Sequence, residues 1–265
     1  MVSKVSVSFM GAIVAAGHGE RLRRSGAVDL PKPLVEIDGE TMLARQARVM
    51  LAAGAHEVLA IVNSETAATI KDRRIPMPSG LRLMVRDTAN SMESLLALGE
   101  QLSTEKVAME DALKPAQFLL ATVDAVIAPH EFARFTEHAL AMTAPEIRND
   151  VHFDGVLAVV KWRGDTRPLF ADVTSSGLIA RLGGTETQLV TAGIYLLPTR
   201  IFGFAADERR RGLDAMRKFL AMLIENGVRL GALELEGAID VDEGADLAAA
   251  RAAAAGRGRG EEKGN

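Results

Sequence analysis

Cysteine is absent from the 265 residues, which excludes a disulfide framework, a thiolate metal site and a cysteine nucleophile together. No stretch approaches about 18 uninterrupted apolar residues, so the sequence proposes no transmembrane helix. The opening MVSKVSVSFMGAIVAAG lacks a cluster of positive charges and its apolar part is broken by serine and glycine, so it reads as a first strand and not as a signal peptide. An excess of one charge is missing too. The formal net charge is -4 and the 25% of charged residues are mixed in sign, so no basic field recruits nucleic acid or an anionic membrane. Any anionic ligand must then be met locally. None of the 5 histidines has a spacing such as His-Glu-x-x-His, which argues against zinc. The expectation is a cytoplasmic protein without nucleic-acid or membrane partners, with a homo-oligomer left open.

Apolar residues are plentiful: at 48% they suffice to bury a large core. Short β-rich runs alternate with helix-periodic runs, which predicts a mostly parallel sheet covered by helices on both faces. The first strand is expected near residues 9–15, a helix over 41–53, strands over 57–63 and 81–85, and a helix from 91 to 102. FLLATV at 118–123 is a continuous apolar run of strand length, as a central strand buried on both faces requires. A helix over 130–142 follows. In the second half, PLFADV and GLIARLG flank a turn cluster at 174–177 and predict an added β-hairpin. QLVTAGIYLL at 188–197 reads as another buried strand, 212–226 as a helix stopped by Gly227, and 244–255 as the last helix. Residues 256–265, GRGRGEEKGN, read as a disordered tail and 1–255 as one domain.

Residues 15–22 read AAGHGERL and residues 31–34 read PKPL. A loop directly after a buried strand exposes backbone N–H groups, and glycines at 17 and 19 let several of them converge on phosphate oxygens. Arg21 adds a fork of donors and Lys32 a mobile point charge. Leu22 stands where a dinucleotide fingerprint needs its third glycine, and the Gly-Lys-Ser/Thr of a Walker loop is absent. Asp124 follows a continuous apolar run at the C-terminal end of the presumed central strand, where ligands sit in open parallel sheets. A cation there is a physical reason for an acid in that place; a helix N-cap or solvated loop is the plainer alternative. Asp240 and Asp242 lie two apart on an extended segment, so they share a face. Ser91 reads as a helix N-cap with Ser94 in the first turn.

These segments resemble the sugar-phosphate nucleotidyltransferases, the NDP-sugar pyrophosphorylase-like family with a GT-A-like, Rossmann-related fold. The pattern Leu/Ala-Ala-Gly-x-Gly-x-Arg-Leu, then Pro-Lys-Pro-Leu and a Gly-containing turn, is matched by 15–22, 31–34 and Asp38-Gly39. The resemblance implies a three-layer α/β/α domain. It implies an enzyme that joins NMP from an NTP to a small phosphorylated metabolite such as a sugar 1-phosphate and releases pyrophosphate. It implies Ala15, Ala16, Gly17, Gly19 and Arg21 around the nucleotide, Arg21 and Lys32 offsetting phosphate charge, and Asn90, Ser91 and Ser94 near base and ribose. Mg²⁺ would be held by Asp124 and by Asp240, with Asp242 capping or ligating through water; Glu243-Gly244 departs from the family's usual Thr-Pro there. Thr191 and Gly193 would border the acceptor. Lys161 and Arg217 could each meet the acceptor phosphate, although a lone lysine at a strand end and an arginine on a helix are ordinarily solvated. The nearest rival is a cytidylyltransferase for a phospho-alcohol such as phosphocholine or an inositol phosphate. A nucleotide-sugar glycosyltransferase would normally carry Asp-x-Asp mid-chain, whereas Ala125 and Val126 follow Asp124. A non-catalytic nucleotide-binding module is disfavoured by the joint presence of Gly17, Gly19, Arg21, Lys32, Asp124 and Asp240. The run ERRR at 208–211 reads as a solvated helix end.

Overall fold

The computed structural model describes residues 9–26, 28–108, 117–144, 152–164, 167–184, 186–204 and 212–261. In the first half, β1 (Phe9–Ala15), a short α1 (Glu20–Arg24), β2 (Glu36–Ile37), β3 (Glu40–Thr41) and α2 (Met42–Ala52) lead into β4 (Ala55–Val62), α3 (Ser64–Arg73), β5 (Leu81–Val85) and α4 (Ser91–Ala108). The middle carries β6 (Gln117–Thr122), β7 (Ala125–Val126), α5 (Pro129–Met142), β8 (Gly155–Lys161), β9 (Phe170–Val173) and β10 (Ile179–Leu182). The chain closes with β11 (Leu189–Pro198), α6 (Met216–Glu225), β12 (Leu230–Glu234), β13 (Ile239–Asp240) and α7 (Gly244–Glu261).

The main sheet runs β10-β9-β11-β6-β1-β4-β5, with β8 also on β11 and β12 on β8. β6, β1, β4 and β5 are mutually parallel, and β12 lies parallel to β8. β11 is antiparallel to β6, β8 and β9, and β9 and β10 form the expected hairpin. This is the mostly parallel, three-layer α/β architecture expected from the sequence, with the added antiparallel strands in the second half.

Strand alternation sorts the core into two layers. Ile13, Leu119 and Ala121 point to a face covered by α2, α5 and α7, through residues such as Leu43, Phe135 and Ala250. Ala12, Phe118 and Leu120 point to the other, covered by α4 and α6 through Leu95, Leu98, Phe219 and Leu220. β6 is buried on both faces, which explains its unbroken apolar run.

Local chemistry sets several boundaries. Thr41 caps α2 by accepting the Ala44 N–H at 3.2 Å. Asp38 and Gly39 both take positive φ, 54° and 74°, as the two-residue turn between β2 and β3 demands. The last helix differs from expectation: α7 continues through Glu261, past residue 255 where a tail was expected to begin. Its alanine run, AAARAAAA, has high helix propensity and carries the helix into the glycine-containing segment. Residues 262–265 and the 208–211 run lie outside the described residues. No described helix is long and apolar enough to cross a membrane.

Leu120 is fully buried between β1 and β11. Leu120→Ala should therefore lower unfolding free energy by about 2–5 kcal/mol, read as a drop in the urea midpoint at constant slope; a midpoint unchanged from the parent would contradict the central placement of β6.

Candidate active site

Three distant segments converge at the C-terminal end of β6. The loop after β1 carries Gly17 and Gly19, the first turn of α1 carries Arg21, and the chain leads on to Lys32; the turn after β6 carries Asp124; the segment before α7 carries Asp240 and Asp242. The last two are joined by a short ladder. β13 pairs antiparallel with β7, Asp240 opposite Ala125, and the Val241 N–H donates to the Asp124 carbonyl at 3.1 Å. Carboxylate oxygens of Asp124, Asp240 and Asp242 come within 4.8 Å of one another.

Such a concentration of negative charge is costly unless cations answer it. Lys32, only 8% exposed, donates from Nζ to Asp124 Oδ2 at 2.5 Å and to Asp242 Oδ1 at 2.8 Å. Arg21 reaches the other oxygen of Asp242, Nη2 to Oδ2 at 2.6 Å. Burial alone would discharge the Lys32 ammonium, but the Asp124 and Asp242 carboxylates outweigh it and raise its pKa well above the ordinary lysine range. Burial likewise opposes the Asp124 charge; Lys32, with a hydrogen bond from the Thr122 hydroxyl, overcomes it and holds the carboxyl below its usual range. Among the described residues Asp240 has no such partner. Its carboxylate opens to the cleft but is hemmed in by protein, and that desolvation, followed by repulsion from Asp124 and Asp242, pushes its pKa up to about 7.

The glycines of the loop differ in role. Gly19 has φ of +62°, and a Cβ there would meet the Lys32 Cβ at 2.5 Å, so it is required for Lys32 to pass beneath the loop. Gly17 faces open space, with nothing within 4 Å of an added Cβ, which leaves its backbone approachable by a ligand. Ala15 and Ala16 are buried, and the Ala16 carbonyl accepts from Asn63 Nδ2 at 3.2 Å. Asn63 also caps α3 through the Thr66 N–H at 2.8 Å. An asparagine between an apolar strand and SETAAT carries that capping signal in sequence, and it went unassigned.

At α4 the expected roles shift by a residue. Asn90 is the cap, accepting the Glu93 N–H at 2.9 Å, while Glu93 Oε2 accepts the Ala89 N–H at 2.9 Å. Ser91 lines the cleft and accepts from the Met216 N–H at 3.1 Å, tying α4 to α6. Ser94 is not offered to a ligand: it is 2% exposed and its hydroxyl bonds Thr88 at 2.7 Å. Its place in the first turn, on the face that packs against the sheet, is what buries it.

Thr191 lines the same cleft and its side chain shares a hydrogen bond with Tyr195. Gly193 serves the site indirectly. It sits at an irregularity of β11 with φ of +75°, and a Cβ there would meet Thr122 Oγ1 at 2.7 Å and Ala125 Cβ at 2.8 Å. Absence of a side chain therefore makes room for the turn that presents Asp124. Lys161 points away from this group, 73% exposed and 3.9 Å from Glu234, whereas Arg217 lines the cleft. The cleft has a volume of about 600 Å³.

Two further clamps were not read from sequence. Asp246 Oδ2 accepts the N–H groups of Asp242 and Glu243 at 3.1 and 2.8 Å, which fixes the entry to α7. Buried Glu131 accepts the Glu236 N–H at 2.8 Å and two bonds from Arg134, and Arg134 donates to the Glu234 carbonyl at 3.0 Å. The Arg134 bonds, against the cost of desolvation, pull the Glu131 pKa down to about 2. Together they hold the segment leading into β13.

Residues 11–188 match the MobA-like NTP transferase domain family, and the chain belongs to it. A curated relative, the bifunctional IPC transferase and DIPP synthase of Rubrobacter xylanophilus, is 28% identical over 258 residues, covering 89% of this chain and 50% of its own length. The chain thus spans about half of that relative. Among solved structures, one described as a glucose-1-phosphate thymidylyltransferase from Bacillus anthracis superposes with a TM-score of 0.71 at 14% identity, covering 93% of this chain and 95% of the other. The CTP:phosphocholine cytidylyltransferase of Streptococcus pneumoniae superposes with a TM-score of 0.66 at 16% identity, covering 92% and 98%. The α/β nucleotidyltransferase fold is thereby shown, in agreement with the resemblance seen in the sequence.

With its pKa pushed up to about 7, Asp240 would make binding of a divalent metal at this cluster proton-linked. The carboxyl is protonated below that value and must lose its proton to ligate, so affinity should fall as pH drops, by up to about tenfold per unit. Calorimetry with Mg²⁺ at mildly acidic pH, in buffers of different ionisation enthalpy, should show net proton release; none would remove Asp240 from the ligand set. Gly193→Ala, in turn, should weaken Mg²⁺ binding at least about tenfold by displacing the Asp124 turn, with unaltered binding counting against that role.

Proposed function

We propose, from family membership and the cleft geometry together, that the chain transfers a nucleoside monophosphate from an NTP to the phosphate of a small phosphorylated metabolite and releases pyrophosphate. The observation that carries this is the meeting of Asp124, Asp240 and Asp242 with Lys32 and Arg21 beside an open glycine loop. The three carboxylates are hard oxygen donors grouped closely enough to share one cation, which suits Mg²⁺. Held there, Mg²⁺ would supply charge neutralisation at the α-phosphate.

The remaining work belongs to the chain. A phosphate oxygen of the acceptor attacks the α-phosphorus in line; the bond to the β-phosphate breaks, and pyrophosphate carries away the electron pair. The nucleophile is already anionic, so no general base is needed, and catalysis reduces to alignment and electrostatic stabilisation. Lys32 and Arg21 are turned to the aspartates; a cation on the carboxylates would free both to face phosphate oxygens. Gly17 leaves its backbone open to the triphosphate, Ala15 and Ala16 set the strand end, and Asn90 and Ser91 border the base and ribose. Thr191 and Gly193 lie on the acceptor side of β6.

The loop motif favours the sugar 1-phosphate reading over the cytidylyl reading for a phosphorylated alcohol. Both use the same centre. Asp124→Ala should reduce pyrophosphate release by at least about a thousandfold while the chain still folds, at a melting temperature lowered by the loss of one of the two carboxylates that answer Lys32. Turnover within tenfold of the parent would exclude Asp124 from the reaction. Arg21→Ala should weaken NTP binding and slow the reaction, and normal kinetics would refute its phosphate role.

A further inference from the structure

Asn63 is a buried polar side chain to which the proposed reaction gives no task. It follows Val62, the last residue of β4, which pairs with Ala15 at the end of β1, and it is 2% exposed. Its amide serves two elements at once: Nδ2 donates to the Ala16 carbonyl at 3.2 Å, and Oδ1 accepts the Thr66 N–H at 2.8 Å. The second bond is an ordinary helix cap, which needs only an acceptor and which serine, threonine or aspartate supplies as well. The first is what asparagine adds, and it falls on the peptide between Ala16 and Gly17. In a planar trans peptide the carbonyl and the following N–H point in opposite directions. Capture of the Ala16 carbonyl on the β4 side therefore turns the Gly17 N–H away from β4. The neighbour of β1 on its other side is β6, whose end leads to Asp124. Among the described residues no acceptor takes that N–H, and Gly17 faces open space.

The other anion site that this end of the sheet could offer is closed. A helix start presents free N–H groups to a phosphate, and α3 begins directly after Asn63. Its Thr66 N–H is taken by Asn63, while Asp87 accepts from the Ser64 N–H at 2.9 Å and from the Ser64 hydroxyl at 2.5 Å. A carboxylate in that place also repels a phosphate. Asp87 stands two residues past β5, so Asn63, Ser64 and Asp87 join the ends of β1, β4 and β5 in one hydrogen-bonded chain. The start of α3 is thus closed to an anion, and the loop N–H is left open to one.

We propose that Asn63 is a positioning residue for the nucleotide: its amide holds the Ala16–Gly17 peptide in the orientation that presents the Gly17 N–H to a phosphate of the NTP. This rests on the nucleotidyltransferase reading and assigns the set of its phosphate loop to one side chain that touches neither substrate. Preorganisation is the gain, since a donor already aimed needs no reordering when the charge arrives.

The test is calorimetry on the whole chain, with Mg²⁺ and the NTP that the parent binds, for Asn63→Asp, Gly17→Pro and the double variant. Asn63→Asp keeps the side-chain volume and the acceptor for the Thr66 N–H but sets a carboxylate, with no donor, against the Ala16 carbonyl. It should weaken NTP binding about tenfold or more, with the melting temperature and the affinity for Mg²⁺ alone near the parental values. Gly17→Pro removes the N–H itself and should weaken NTP binding at least as much. Because both changes act on one donor, the double variant should bind within about threefold of Gly17→Pro. Parental NTP affinity in Asn63→Asp, an equal loss of affinity for Mg²⁺ alone, or losses that multiply in the double variant overturn the proposal. If Asn63→Asp does not fold, Asn63→Ser, which keeps a capping oxygen on a shorter side chain, is held to the same outcomes. A parent chain that binds no NTP overturns the transferase reading beneath, whereas NTP binding that the parent and Asn63→Asp share equally overturns the role of Asn63 alone.

Discussion

The site depends on one buried ammonium. Lys32 is 8% exposed and sits between Asp124 and Asp242, and neither side of that arrangement survives without the other. A buried lysine lacking carboxylates would lose its proton, and three carboxylates within 4.8 Å lacking a cation would repel one another. Removing one partner of such a buried pair costs about 3–5 kcal/mol, because the charge left behind is unanswered. The carboxylate cluster is thus neutralised from within. A metal and a triphosphate, arriving together, bring charges that can replace the internal ones group for group.

Much of the surrounding architecture keeps that cluster in register. β6 is flanked by β1 on one side and β11 on the other, so the turn that carries Asp124 stands between the glycine loop and the Thr191–Gly193 stretch of β11. Gly19 lets the loop lie against Lys32, and Gly193 lets β11 lie against the Asp124 turn. β13 and β7 are two residues each, too short to be stable as an isolated pair. They are held by Glu131 and Arg134 before β13 and by Asp246 after it. The β7–β13 pairing and its clamps thus set the places of the aspartates before a substrate arrives, as electrostatic stabilisation at a phosphate requires.

The fold and the centre were legible in the sequence to different degrees, for physical reasons. FLLATV revealed β6 because burial on both faces leaves a continuous apolar run, and the Asp124 that ends it stood out by contrast. The spacing of the glycine loop and PKPL pointed to Arg21 and Lys32, which the fold does bring to Asp124 and Asp242. Roles were harder than places. Nothing in PKPL says that Lys32 binds two aspartates 92 and 210 residues away. Asn90 caps where Ser91 was expected to, because either residue type satisfies the same orphan N–H. Ser94 is buried beside Leu95 while Glu93 is exposed, and a serine's identity carries no record of which helix face it occupies. Pairing of β7 with β13 left no pattern, since two residues are too few to show a period.

The account stands or falls on exchange of the internal ion pairs for a metal and a triphosphate. Calorimetric titration of the protein with ATP, CTP, GTP and UTP, each with and without Mg²⁺, tests it most directly. The account predicts that one triphosphate binds in the presence of Mg²⁺ and that its affinity collapses without the metal, when Lys32 and Arg21 remain held by the aspartates. Equal affinity with and without Mg²⁺, or no binding of any of the four, would contradict it.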